Sequence, residues 1–230
     1  MNQLLHNPVY NALLTGDEHL SDGNDRVKFF DEEVSPFAGF SENNETGFSE
    51  LHDLLAPGRK ILYATVPVIN QPSGWEFIVH IQGLQFVYDA GSGVSADLSG
   101  IVPLELEHVE QMVALARLTK PGPFGTRTIE FGSYYGIFEK EKLVAMTGQR
   151  LHVQECTEVS AVCTDPAYLG KGYAYALVLH AVALIRQQGK TPFLHVRADN
   201  QRAIALYERI GFAIRGNMNF YVMKKDAKVD

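Results

Sequence analysis

The sequence predicts an α+β fold whose C-terminal half is organised on one unit: strand, glycine loop, long helix, second strand and short capped helix. Three observations predict it. Residues 158–164 (Glu-Val-Ser-Ala-Val-Cys-Thr) form a strand-like run that stops at Asp165-Pro166. Residues 168–174 place Gly170 and Gly172 just before an apolar helical stretch reaching about Gln188, which Gly189 is positioned to close in a left-handed cap. Residues 193–196 read as the next strand, and Asn200 then opens a helix closed by Gly211.

The earlier elements follow in order. Residues 26–30 read as a strand, 41–45 as an exposed turn, and 48–55 as a helix ended by Pro57-Gly58. Residues 60–66 read as a strand, 70–74 as a turn, and 75–88 as a stretch rich in β-branched and aromatic residues. This first part, residues 1–95, is expected to be an α+β domain, and it holds no catalytic constellation. The small, polar residues 89–100 are the expected linker. In residues 106–118, Leu106, Val109, Met112, Val113 and Ala116 make a helical stripe. Prolines and glycines in residues 120–125 exclude both regular structures, leaving a loop. Residues 133–138 and 143–150 read as a hairpin, and residues 219–223 as the last strand of a second domain spanning 101–226.

A strand that feeds a glycine turn into a helix N-terminus is an anion site. The glycines let backbone N–H groups point inward, and the helix dipole favours negative charge there. Alone, such a loop is a common surface feature. Here it is joined to residues 200–212, Asn-Gln-Arg-Ala-Ile-Ala-Leu-Tyr-Glu-Arg-Ile-Gly-Phe. Together the two stretches resemble the GNAT superfamily of acyl-CoA-dependent N-acyltransferases. Its glycine loop reads Gln/Arg-x-x-Gly-x-Gly/Ala, and its later helix reads Asn-x-x-Ala-x-x-x-Tyr-x-x-x-Gly-Phe. Leu169 departs from the loop pattern at a position where Gln or Arg is usual, which leaves the backbone cradle intact. The resemblance implies a mixed, mostly antiparallel central sheet flanked by helices. It also implies acetyl-CoA as cosubstrate, an amine acceptor and no metal. A degenerate second copy of the fold is one expectation for the N-terminal part, although the letters show no internal repeat.

The resemblance assigns roles residue by residue. Backbone amides of Gly170, Lys171, Gly172, Tyr173 and Ala174 would cradle the pyrophosphate. Main-chain groups of Val162 and Thr164, with Cys163 between them, would pair with the pantetheine arm as an added strand. Asn200 falls at a cofactor-contacting position and is also a natural N-cap. Tyr207 lies seven residues on, on the same helix face and about 10 Å away. The family tyrosine protonates the departing CoA thiolate, a transfer from a phenol near roughly 10 to a thiol near roughly 8.5. Core packing beside Ala203 and Ile210 is the alternative for Tyr207.

Glu158 stands fourteen residues before Gly172, where histone-acetylating members carry their catalytic glutamate. Strand alternation would set it on one face with Ser160, Val162 and Thr164. A base role asks for a raised pKa. The alternatives are water as the base and a solvent-exposed glutamate at a strand start. The loop of residues 120–125, with Arg127, is placed as a lid over the acceptor. Cys163 has no His or Asp partner within the motif and reads as a buried thiol, while His152 and His195 read as structural.

At 46% hydrophobic and 20% charged, the chain has the composition of a globular protein with ample core. A net charge of −7 disfavours nucleic acid and anionic membrane as partners and leans the acceptor towards a cationic amine or peptide. Cys156 and Cys163 have odd spacing, so an unbroken strand would send them to opposite sides, as unpaired thiols in a reducing compartment. No leader-like N-terminus or membrane-length apolar run is present in the letters, which points to a cytoplasmic protein. The eight histidines show no metal-ligand spacing. A homodimer is compatible with all of this. Rival functions are transfer of larger acyl groups to amino acids and a non-catalytic acyl-CoA-binding module, the second disfavoured by Tyr207.

Overall fold

The computed structural model describes residues 3–90 and 99–226. Most of the expected linker, residues 91–98, lies outside the described residues. The first part holds α1 (Pro8–Leu13), β1 (Ser21–Gly23), β2 (Val27–Phe30), β3 (Phe37–Phe40), α2 (Gly47–Leu54), β4 (Lys60–Thr65) and β5 (Trp75–Tyr88). The second holds β6 (Ile101–Pro103), α3 (Val109–Thr119), β7 (Tyr135–Glu139), β8 (Lys142–Val153), β9 (Cys156–Thr164), α4 (Tyr173–Gln187), β10 (Thr191–Arg197), α5 (Gln201–Ile210) and β11 (Phe212–Lys225). Patterning expected most of these. It left α1, β1, β3 and β6 unread, because each is short.

Among the described residues, all the strands join one sheet in the order β1-β2-β3-β4-β11-β5-β10-β9-β8-β7-β6. Only β3 with β4 and β9 with β10 run parallel; the other pairings are antiparallel. The sheet crosses the residue-95 boundary, since β5 from the first part is inserted between β10 and β11 of the second. Phe193 to Arg197 of β10 pair with Val87 to Gly83 of β5, so the C-terminal unit completes its sheet with an N-terminal strand.

Burial follows the periodicities of the chain. On one face α4 and α5 set Val178, Val182, Ile185, Ile204 and Ile210 against Phe86, Val159 and Leu194. On the other, α1 and α3 bring Leu13 and Met112 against Phe30, Phe37, Phe193 and Phe220. Leu106, expected in the α3 stripe, precedes the helix in a short 3-10 turn and is exposed. Gly189 and Gly211 both adopt positive φ, 73° and 110°, and end α4 and α5 as the sequence expects.

Strand β9 departs from its expected alternation. Ala161 has φ 53°, and pairing with β8 shifts from Gly148–Ser160 to Met146–Cys163, so β9 carries one extra residue there. A bulge of one residue reverses the facing of everything beyond it. Glu158 therefore shares a face with Cys163, whereas Val162 packs against the α4–α5 side. Two expectations are corrected by this. Val162 and Thr164 do not lie with Glu158, and both cysteines belong to one cluster. They stay free thiols, with roughly 20 Å of strand between them.

Trp75 is buried at the centre of the α2–β4–β11 cluster, where its indole N–H donates to the Phe48 carbonyl at 3.0 Å. It is the chain's single tryptophan. Because one sheet runs through both parts, its fluorescence and the far-UV circular dichroism should trace the same urea transition. Two separated transitions would show that residues 1–95 unfold as an independent unit.

Candidate active site

The site lies where β9 and β10 part. The two strands pair only through Thr191–Cys156, Pro192–Thr157 and Phe193–Glu158. Beyond Glu158 they diverge, and β10 turns its ladder towards β5 alone. The bulge at Ala161 bends β9 within this opening. A cavity of about 770 Å³ occupies the wedge, lined by Val162, Cys163 and Thr164 on one side and His195, Val196 and Arg197 on the other. The Thr164 hydroxyl is buried with no protein partner, so a ligand atom in the wedge would satisfy it.

At the open end stands the glycine loop. Gly170 and Gly172 have φ 82° and 83°, the left-handed region that a side chain would strain. Gly172 is the N-cap of α4; no side chain caps that end, and its first turn holds no acidic residue. The N–H groups of a fifteen-residue helix therefore face the cavity mouth with their dipole uncompensated. Gly170, Gly172, Tyr173 and Ala174 line the cavity. Lys171 does not: its ammonium turns to Glu139 at 3.1 Å, and the Tyr173 hydroxyl donates to the same carboxylate. Leu169 lines the mouth, half exposed, and supplies no charge.

Helix α5 forms another wall. The Asn200 side chain accepts from the Ala203 N–H at 3.2 Å, so it does cap the helix, and the residue also lines the cavity. Tyr207 is largely buried and reaches the cavity, and its hydroxyl has no protein partner among the described residues. Burial pushes its phenol well above the ordinary value, and the nearby Cys163 and Glu158 raise it further. Burial likewise pushes the Cys163 thiol up to about 11, partly offset by hydrogen bonds with the Thr119 side chain and the Met146 backbone. The thiol is buried, as expected, and a thiol raised in this way is a poor nucleophile near neutrality.

Glu158 differs from both of its expected environments. It is neither solvent-exposed nor a carboxyl with a raised pKa: it is 1% exposed and fully engaged. Arg150 donates to it through Nε at 2.8 Å and Nη2 at 2.9 Å, and His195 Nδ1 lies 2.8 Å from Oε1. Burial pushes its carboxyl up, but the Arg150 charge and the His195 and Arg150 hydrogen bonds outweigh this and hold it at about 2. A carboxylate so held is a poor proton acceptor near neutrality.

His195 is fixed from behind. Arg215 Nη1 donates to Gln85 Oε1 at 2.6 Å, so the Gln85 amide nitrogen faces His195 Nε2 at 2.8 Å and also donates to the Leu5 carbonyl at 2.9 Å. His195 Nε2 must then accept, leaving Nδ1–H to donate to Glu158. Sequence reasoning missed Arg150, Gln85 and Arg215, which lie on three strands far apart in the chain. Their signal was polar residues inside otherwise apolar strand runs. His152 pairs with buried Asp17 at 2.6 Å, away from the cavity, as a structural residue.

The inner end of the cavity is closed by the N-terminal part, through Phe37, Leu62, Ile81 and Gly83, together with Phe220. Thr119 to Pro123 form part of the wall, where the lid was expected. Arg127 is not part of it, being paired with Glu130 at 2.6 Å and Asp31 at 3.3 Å. Among the described residues, no group of His, Cys, Asp and Glu side chains is placed to hold a metal ion. No helix among them is long and apolar enough to cross a membrane.

The chain is similar in sequence and fold to known proteins. A family described as FR47-like protein matches residues 134–221, the hairpin through β11. A solved GNAT-family protein from Novosphingobium aromaticivorans is 32% identical, covers 97% of this chain and 99% of its own, and superposes with a TM-score of 0.89. The chain belongs to the GNAT family of acetyltransferases. A GCN5-related N-acetyltransferase from Kribbella flavida, 14% identical, shares the fold across 98% of this chain and 97% of its own, with a TM-score of 0.63. Among curated relatives, a ribosomal protein bS18-alanine N-acetyltransferase of Escherichia coli is 33% identical over 79 residues, which are 34% of this chain and 53% of that protein. A mycothiol acetyltransferase of Corynebacterium glutamicum is 32% identical over 79 residues, which are 34% of this chain and 27% of that protein. The chain thus matches about half or less of the length of these curated relatives.

The Glu158 cluster has a signed consequence for stability. A carboxylate held below its ordinary value stabilises the fold fully near neutrality, and that contribution is lost as pH falls from about 4.5 towards about 2. Urea midpoints should fall steeply over that range. Glu158→Gln should flatten this limb and, by leaving Arg150 buried without its partner, destabilise the protein at pH 7 by about 3–5 kcal/mol.

Proposed function

We propose that the protein moves an acetyl group from acetyl-CoA to a primary amine by direct transfer in a ternary complex. The observation that carries this reading is the wedge between β9 and β10, continuous with the uncapped N-terminus of α4. Free strand edges suit an extended pantetheine arm, and the Gly170–Ala174 amides suit its pyrophosphate. Thr164 offers an unused hydroxyl along the same path.

In this reading Tyr207 protonates the departing thiolate. Its raised phenol stays protonated at neutral pH and so remains a donor. A raised phenol is also a weaker acid, but a thiolate seated in the same wall is raised too, as Cys163 illustrates. The gap between donor and acceptor is thereby kept small enough for transfer. Glu158 is assigned to positioning: it orients Arg150 and His195 and leaves removal of the amine proton to water.

Calorimetric titration of the purified chain with acetyl-CoA tests the reading, with ATP as control. Saturable binding of acetyl-CoA with ATP inert is expected, and no binding at millimolar ligand would overturn it. Tyr207→Phe should bind CoA as the wild type does while kcat falls by about 10²- to 10⁴-fold. Full turnover in that variant would remove the acid role.

A further inference from the structure

The cavity carries a charge pattern opposite to that of the chain. The protein has a net charge of −7, yet Lys120, Arg150, Arg197, Arg202 and Arg209 line the cavity and, among the described residues, no Asp or Glu does, although Arg150 is paired with Glu158 and Arg197 with Asp199. Two of these cations belong to the mouth with the glycine loop, since Arg202 and Arg209 stand on α5, the latter over the Tyr175 ring at 4.9 Å. Arg150 is at the other end. It grips Glu158, the last β9 residue still paired with β10, and its guanidinium lies over the Phe37 ring at 4.8 Å. It therefore stands at the apex of the wedge, where β9 and β10 part.

Arg150 is only half used. A guanidinium has five N–H donors, and Glu158 takes one from Nε and one from Nη2. Nη1 has no partner among the described residues, although the side chain is only 13% exposed and lines the cavity. The Glu158 grip and the Phe37 ring fix the guanidinium plane, so the free edge is presented in one orientation. A fixed fork in a mostly apolar pocket is suited to a carboxylate. Lys120, exposed and without a side-chain partner among the described residues, adds a second positive charge to the cavity wall.

We propose that Arg150 seats a carboxylate of the acceptor, so that the amine acetylated is an amino acid or a similar small zwitterion. The inference deepens the acetyl-transfer reading and rests on it. It also reverses the lean towards cationic acceptors drawn from overall charge, because the charge that meets the substrate is the cavity's and not the surface's.

The test compares matched acceptors: the twenty standard L-amino acids and their α-carboxamides, with acetyl-CoA saturating and free thiol measured as product. At least one amino acid should exceed its carboxamide tenfold or more in kcat/KM. Equal rates for acid and amide, faster rates for the amides, or bound acetyl-CoA with every amino acid inert would each overturn the proposal. Arg150→Lys keeps a charge beside Glu158 but loses the fork. It should raise KM for the preferred amino acid at least tenfold while leaving KM for acetyl-CoA unchanged; an unchanged acceptor KM would count against the proposal. The wild-type comparison decides the matter even if that variant folds poorly. Failure to bind acetyl-CoA in the absence of acceptor would overturn the underlying transfer reading instead, and is read in a separate titration.

Discussion

Everything at the candidate site depends on two parallel strands that stop pairing after three residue pairs. Beyond Phe193–Glu158 the backbone groups of β9 and β10 have no partner in each other, and buried backbone groups left unpaired are costly. On its other edge β10 is held by β5, and β9 carries the Ala161 bulge beside the gap. The result is a groove with two polar edges and an apolar floor.

The apex of the wedge is locked by charge. Arg150, Glu158, His195, Gln85 and Arg215 form one hydrogen-bonded chain across β8, β9, β10, β5 and β11. Each member is oriented by the next, so the histidine tautomer and the guanidinium plane are both set before any ligand arrives. Such a network is expensive if broken and adds little if replaced by apolar packing, so its value lies in orientation. The Glu158 carboxylate joins Arg150 and His195 at the centre of this network.

The N-terminal part has a purpose in this architecture. It lends β5 to the C-terminal sheet, and it closes the inner end of the cavity with Phe37, Leu62 and Ile81. The curated relatives matched over 79 residues align with only 34% of this chain, whereas the Novosphingobium protein aligns with nearly all of it. The N-terminal residues that close the cavity, Phe37, Leu62 and Ile81, lie outside the family-matched residues 134–221.

Local sequence by itself determined the glycine loop, the caps at Gly189, Asn200 and Gly211, and the helix that carries Tyr207. These depend on backbone conformation and on contacts within a few residues, which short patterns record directly. Tertiary structure alone decided the rest. A single extra residue at Ala161 leaves no mark in the letters, yet it moves Cys163 to the Glu158 face and Val162 and Thr164 away from it. The environment of Glu158 was equally hidden, because its partners Arg150 and His195 lie eight and thirty-seven residues away and meet it only across strands. The cations of the cavity were hidden for the same reason. Net charge sums a whole surface, and only folding determines which side chains share a wall.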